Sequence, residues 1–108
     1  MPILKDFLQE ELKNSKDLKK AYENELKNLP KGVLVKKQIK GHNYHYLAYK
    51  QNGKVHYIYK GKIPQKELHR YLQAKKRRAQ IRPLLSQVKK QIHFLKKVLN
   101  DRQLQSMP

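Results

Sequence analysis

Hydrophobic side chains recur along the chain with two different periods. From Ile3 to Leu29, leucines and Tyr22 recur at steps of three, four or six residues, which predicts an amphipathic helix over 3–29. Asn14-Ser15 interrupts this stripe and could divide it into two helices; we favour one. Pro30 ends the helix, because a proline ring cannot continue it, and Lys31-Gly32 leads into the next segment.

Residues 33–61 show a period of two, which is typical of β-strands. Asn52-Gly53 favours a type I′ turn, in which both central residues have positive φ, and Gly41-His42, followed by Asn43, is interpreted as an earlier turn. The segment therefore predicts a three-stranded antiparallel meander. Its predicted register pairs Lys50 with Val55, Tyr46 with Tyr59, and Ile39 with Tyr44.

The alternation divides the sheet into a more apolar face and a basic, partly aromatic face. The first carries Val33, Val35, Lys37, Ile39, Tyr44, Tyr46, Ala48, Val55, Tyr57 and Tyr59. The second carries Leu34, Lys36, Gln38, Lys40, His45, Leu47, Tyr49, His56, Ile58 and Lys60. We expect the first face to be packed and the second to be accessible. A slip of one residue in a turn would exchange the two faces.

The C-terminal part has a helical period again. Pro64 suits the first position of a helix over 64–100, and hydrophobic residues recur every three or four positions as far as Leu99. Pro83 either kinks this helix or divides it into a pair, and 101–108 is predicted to fray. The fold class is thus α+β within a single domain, 1–108, with long antiparallel terminal helices packed near the sheet. A homodimer formed through the helical stripes stays open.

Charge is distributed very unevenly. The chain has 26 Lys and Arg against 8 Asp and Glu, for a net charge of +18. Residues 1–25 contain five basic and six acidic residues, so 26–108 contain 21 basic residues and only Glu67 and Asp101 as acids. Such an excess of one sign opposes compaction and favours a polyanionic partner, above all nucleic acid.

Several other classes of function are unfavourable. Without cysteine the chain has no disulfide or thiolate metal site, and no carboxylate lies near His42, His45 and His56 to complete a metal centre. Its serines lie in no Gly-rich elbow, and its four glycines form no phosphate-binding loop. We therefore expect a non-enzymatic protein without cofactor or metal. The absence of a long apolar run or a signal-peptide pattern predicts a cytoplasmic protein with no membrane partner.

The candidate nucleic-acid contacts are basic residues that can meet phosphates, together with ring side chains that can stack on bases. They are Lys36, Lys40, His45, Tyr49, Lys50, Lys54, His56, Lys60, Lys62, Arg70, Lys75, Lys76, Arg77, Arg78 and Arg82. Arg77 and Arg78 have the planar fork that suits phosphate, although the Lys75–Arg78 run could equally be a solvated helix surface. The hairpin could alternatively enter a DNA major groove.

The motif formed by residues 29–64 is similar to motifs in two groups of proteins. Residues 29–64 contain Leu29-Pro30-Lys31-Gly32, Gly41, Tyr44, Tyr46-Leu47, Gly53-Lys54, Tyr59 and Gly61-Lys62. This arrangement resembles small uncharacterised proteins of Gram-positive bacteria and their mobile elements. It resembles more weakly the three-stranded arm-type DNA-binding domain of phage integrases, whose sheet enters the major groove. That resemblance implies the same role for the face bearing Lys36 and Lys60. The integrase catalytic domain has no counterpart here.

The sequence therefore predicts a small nucleic-acid-binding protein that grips the phosphate backbone with a basic sheet face and a basic helix. DNA and RNA are not distinguished. The alternative is a protein-directed binder or inhibitor of a larger nucleic-acid-handling protein, such as a nuclease complex, encoded by a phage or mobile element. A structural coiled-coil dimer is the third hypothesis.

Overall fold

The structure, a computed structural model, describes residues 3–101 and confirms the predicted α+β class. Helix α1 (Ile3–Asn28) is followed by strands β1 (Val33–Ile39), β2 (His42–Gln51) and β3 (Lys54–Gly61), and then by helix α2 (Gln65–Leu99). Pro83 lies inside α2, which is one helix and not a pair. The prediction of fraying beyond 101 concerns residues that lie outside the described part of the chain.

The chain divides into two compact units. A helical unit contains α1 and the part of α2 from Gln80 onward, and a sheet unit contains residues 29–79, with the three strands and the first part of α2. The prediction of a single domain stays a prediction.

The helical unit has a regular line of buried residues along α2, which we call the seam. The buried residues of α2 alternate steps of four and three, as in a coiled coil: Ile81, Leu85, Val88, Ile92, Leu95 and Leu99. The start of α1, at Lys5, Gln9 and Leu12, lines a common hollow with Lys96 and Leu99 near the end of α2, so the helices are antiparallel, as predicted.

Ser15 belongs to the seam of α1 and does not divide the helix. It is only 5% exposed, and its hydroxyl accepts a hydrogen bond from Gln91 Nε2 at 3.0 Å. Leu8 and Leu12 before it, and Lys19, Tyr22 and Leu26 after it, continue the same alternation of four and three, and all five are half-buried. A single polar position in such a seam helps to fix the register of the two helices.

The sheet has the order β1-β2-β3 with antiparallel neighbours, which confirms the predicted meander. Lys50 pairs with Val55 and Tyr46 with Tyr59, as expected. Between Tyr46 and His45 the register shifts by one residue, because β3 carries a bulge at Lys60, which has no partner in the ladder.

The predicted first turn is wrong. Ile39 pairs with His42 and not with Tyr44, so the turn residues are Lys40 and Gly41. Their φ angles of 51° and 79° match those of Asn52 and Gly53, 53° and 77°. Both turns thus place glycine at the second left-handed position of a type I′ turn, where it adopts positive φ without steric cost. Because the pairing changes by two residues, the side chains within β1 and β2 keep their predicted faces.

The predicted burial of the two faces is also wrong. Leu47 and His45 are buried, whereas the face that we expected to be packed exposes Val35, Val55 and Tyr59. The physical reason is the position of α2, which lies against the face of Leu47. We call this the inner face. The outer face carries Val33, Val35, Lys37, Ile39, His42, Tyr44, Tyr46, Ala48, Lys50, Val55, Tyr57 and Tyr59.

A side chain of α2 forms hydrogen bonds with the segment that precedes β1. Arg78 Nη1 donates a hydrogen bond to the Pro30 carbonyl at 2.6 Å, and its Nη2 donates to the Gly32 carbonyl at 2.9 Å. Gly32 has φ +93°, and a Cβ atom there would lie 2.7 Å from the Ala48 carbonyl oxygen. Only glycine fits this close approach, so the Leu-Pro-x-Gly motif is explained by packing.

Candidate nucleic-acid interface

The most distinctive surface of the sheet unit is a cluster of aromatic rings on the outer face. The ring centroids of Tyr46 and Tyr59 lie 5.3 Å apart in an edge-to-face arrangement, and those of Tyr44 and Tyr59 lie 6.3 Å apart. His42 extends the cluster, with its ring 6.4 Å from that of Tyr44. We call Tyr44, Tyr46, Tyr57 and Tyr59 the tyrosine platform.

The platform is accessible because nothing in the sheet unit covers β3. Every residue from Lys54 to Lys60 is exposed, on both faces of the strand. Tyr57 is 66% exposed and Tyr59 is 53% exposed, although alternation places both on the largely apolar outer face. An exposed aromatic and aliphatic surface of this kind is typical of a binding site.

The charges beside the platform have one sign. Lys37 pairs in register with Tyr44, and Lys50 lies further along β2 on the same outer face. Lys40 lies in the first turn, Lys54 is the first residue of β3 directly after the second turn, and all four lysines are exposed. No Asp or Glu occurs between Glu25 and Glu67 in the sequence, so the sheet has no carboxylate to neutralise them.

The ring side chains that the sequence predicts as nucleic-acid contacts, His45, Tyr49 and His56, lie on the inner face. His45 is only 9% exposed, because the first part of α2 lies against this face, so little of its ring is accessible and its contact with nucleic acid stays a prediction. Among residues 3–101, its Nδ1 is the one buried side-chain nitrogen or oxygen without a hydrogen-bond partner. Tyr49 is half-buried and stacks on His56, which is exposed, with ring centroids 5.4 Å apart and planes inclined by 22°.

A cavity of about 470 Å³ lies between the inner face and the first part of α2. His45 lines it together with apolar residues, and the ammonium-bearing side chains of Lys36 and Lys75 contribute to its wall. Lys36 is exposed at this position, on the sheet edge formed by β1. It therefore lies apart from the tyrosine platform, on the opposite face of the sheet.

The remaining candidate residues fall into two groups. Lys60, Lys62, Arg70, Lys75, Lys76 and Arg82 are exposed and available to a partner, the last of them in the helical unit. Arg77 and Arg78 are half-buried. Arg78 donates through both terminal nitrogens to backbone carbonyls and so has a structural role, while its predicted contact with a phosphate stays a prediction.

Sequence reasoning missed the exposure of the tyrosine platform, since it placed these rings in the core. One signal was present: the long aliphatic residues of β1 and β2 that pack inward, Leu34 and Leu47, share one face, while four tyrosines share the other. Tyrosine has an apolar ring and a polar hydroxyl, so it tolerates exposure better than leucine does.

Within residues 3–101 no group of three or more His, Asp or Glu side chains is arranged to hold a metal ion, and no helix has the length and apolar character needed to cross a membrane. No protein-family model matches this chain, and no curated protein or solved structure matches it either.

Proposed function

We propose that this protein is a non-enzymatic nucleic-acid-binding protein and that the outer face of its sheet is the principal contact surface. The observation that carries the proposal is the tyrosine platform, in which Tyr57 and Tyr59 are exposed and Tyr44 and Tyr46 are half-buried, with Lys37 beside it on a sheet that has no carboxylate. Lysines attract phosphate groups, and aromatic rings offer sequence-tolerant contacts to bases. A cytoplasmic location, expected from the sequence, stays a prediction.

The lysines would provide most of the affinity. The strands and turns of the sheet contain six of them: Lys36, Lys37, Lys40, Lys50, Lys54 and Lys60. Each phosphate that a lysine neutralises releases condensed counterions, so the logarithm of the binding constant falls with the logarithm of salt concentration by about 0.7 to 0.9 per contact. Low sequence specificity is expected, because lysine reads bases poorly in comparison with arginine, asparagine or glutamine.

The test is a salt titration of binding, measured by fluorescence anisotropy with labelled oligonucleotides. We expect steep salt dependence for the wild type. Lys37→Glu with Lys50→Glu should weaken binding at least about tenfold and reduce the slope by the equivalent of about two contacts. The matched control is Lys13→Glu with Lys16→Glu, which makes the same charge change at two exposed positions of α1.

The control pair separates a local interface from the general effect of net charge. Equal losses in the two double variants would refute the outer face as the contact surface. A wild type that binds neither DNA nor RNA would refute the function itself and favour the alternative, a protein-directed inhibitor.

A further inference from the structure

We infer that the nucleic acid is single-stranded and that its unpaired bases stack on the tyrosine platform. The inference rests on the proposed function, and it names the form of nucleic acid that the outer face would recognise. It follows from three properties of that face: the exposure of its rings, the distances between them and the side chains that it lacks.

The exposure of the rings favours a flat apolar ligand. The sheet keeps Tyr57 and Tyr59 more than half exposed, next to Val55, which is 55% exposed. Burying such side chains is favourable, and a base presents a planar π-surface that matches a tyrosine ring. In a duplex these base surfaces are already stacked on each other and only the base edges are accessible, whereas in a single strand they are free.

The distances between the rings favour an unstacked strand. The ring centroids of Tyr46 and Tyr59 are 5.3 Å apart with planes inclined by 73°, and those of Tyr44 and Tyr59 are 6.3 Å apart with planes inclined by 44°. Successive nucleotides of a duplex strand rise by only about 3.4 Å. Bases that occupy neighbouring rings are therefore too far apart to stack on one another, an arrangement that a single strand can adopt and a duplex cannot.

The composition of the outer face disfavours reading of a duplex. A sheet that enters the major groove specifies sequence with Arg, Asn or Gln side chains that form paired hydrogen bonds to base edges. Along the described strands β1 to β3, the outer face carries none of these residue types and no acid. Its polar groups are tyrosine hydroxyls, His42, Lys37 and Lys50, which suit stacking and phosphate contact.

The edges of the platform are suited to the phosphate backbone of the strand. Lys37 pairs with Tyr44 and is therefore beside one end of the ring cluster. Lys40, in the turn before His42, lies beyond it in the same direction along β1. A strand whose bases lie on the rings can thus place its phosphates along the side of the sheet formed by β1, near Lys37 and Lys40.

The experiment compares three labelled probes with the full chain: a 20-nucleotide oligo(dT), a 20-nucleotide oligo(U) and a 20-base-pair mixed-sequence DNA duplex, at one salt concentration. We expect the wild type to bind at least one single strand about tenfold more tightly than the duplex. Tyr57→Leu and Tyr59→Leu should each lower single-strand affinity about 5- to 150-fold, the range measured for loss of one stacking ring. They should change duplex affinity by less than about threefold.

Three controls define what each result means. Tyr57→Phe and Tyr59→Phe keep a ring and should retain single-strand affinity within about threefold. Phe94→Leu removes a ring that is 62% exposed in the helical unit and should leave both affinities unchanged. Circular dichroism and the urea midpoint of every variant establish that it is folded.

A second measurement uses the wild-type protein and does not depend on the folding of any variant. Aromatic NMR signals are followed while oligo(dT) or oligo(U) is added. Ring-current shifts confined to Tyr44, Tyr46, Tyr57 and Tyr59, with the Tyr22 and Tyr49 signals unmoved, support the inference. Unmoved platform signals at saturation overturn it.

The outcomes separate this inference from the proposed function. Duplex binding as tight as single-strand binding, with the leucine variants unchanged, overturns single-strand stacking and leaves nucleic-acid binding in place. No binding to any of the three probes overturns both proposals.

Discussion

Replacing Arg78 is expected to unfold the sheet unit more readily, although sequence alone makes this residue a surface cation in a basic run. Its guanidinium group joins α2 to the segment before β1 through hydrogen bonds of 2.6 Å to the Pro30 carbonyl and 2.9 Å to the Gly32 carbonyl. Each bond connects residues that are more than 40 positions apart. Their loss therefore releases a contact that local structure cannot replace.

The magnitude follows from the type of bond. A hydrogen bond from a charged donor contributes about 1.5 to 3 kcal/mol to the free energy of unfolding. Because the bonds from Arg78 are partly buried, the lower part of this range applies to each, and Arg78→Ala should cost about 3–4 kcal/mol in total. Arg78→Lys should cost about 1–2 kcal/mol, since one ammonium group does not reproduce the planar fork.

Urea unfolding followed by tyrosine fluorescence provides the assay. The chain has no tryptophan and seven tyrosines, of which all but Tyr22 lie in the sheet unit, so the signal reports mainly on that unit. Arg70→Ala is the matched control, because Arg70 is exposed on the same helix and should change stability by less than about 0.5 kcal/mol.

The comparison of Arg78→Ala with this control tests whether Arg78 stabilises the sheet unit. Equal free energies of unfolding for Arg78→Ala and Arg70→Ala would refute the structural role. Under conditions where Arg78→Ala is folded, we expect its nucleic-acid affinity to remain within about twofold of wild type. A selective loss of affinity would return Arg78 to the interface.

Two further predictions concern packing. Gly32→Ala should cost about 2–4 kcal/mol in the same assay, because positive φ is strained for alanine and the added Cβ would lie 2.7 Å from a backbone oxygen; Gly53→Ala, with positive φ and nothing within 4 Å of its Cβ, should cost only about 1 kcal/mol. Equal losses would show that the close approach is unimportant. Ile81→Ala should cost about 2–5 kcal/mol by far-ultraviolet circular dichroism, since Ile81 is fully buried, while Leu84→Ala, 38% exposed, should cost less than about 1 kcal/mol. Similar losses at the two positions would contradict the seam.

Much of the local structure could be predicted from the sequence because it depends on local chemistry. The two hydrophobic periods predict the helix–sheet–helix order, and Asn52-Gly53 fixes the register of β2 and β3 through the φ angles that its turn requires. The residues of the first turn were harder to identify from the sequence, because Lys40, which has a bulky side chain, adopts a left-handed conformation with φ 51°. Such a position is not evident from residue type.

Only the tertiary structure decided which face of the sheet is buried. Alternation assigns Leu47 and Tyr59 to opposite faces, but it does not say which face a helix will cover, and the larger number of apolar residues lies on the face that is exposed. That choice depends on contacts distant in sequence, such as those of Arg78 with Pro30 and Gly32. The sequence by itself therefore determined the elements and the charge, while the packing of the first part of α2 against the inner face determined that Tyr57 and Tyr59 are exposed and His45 is buried.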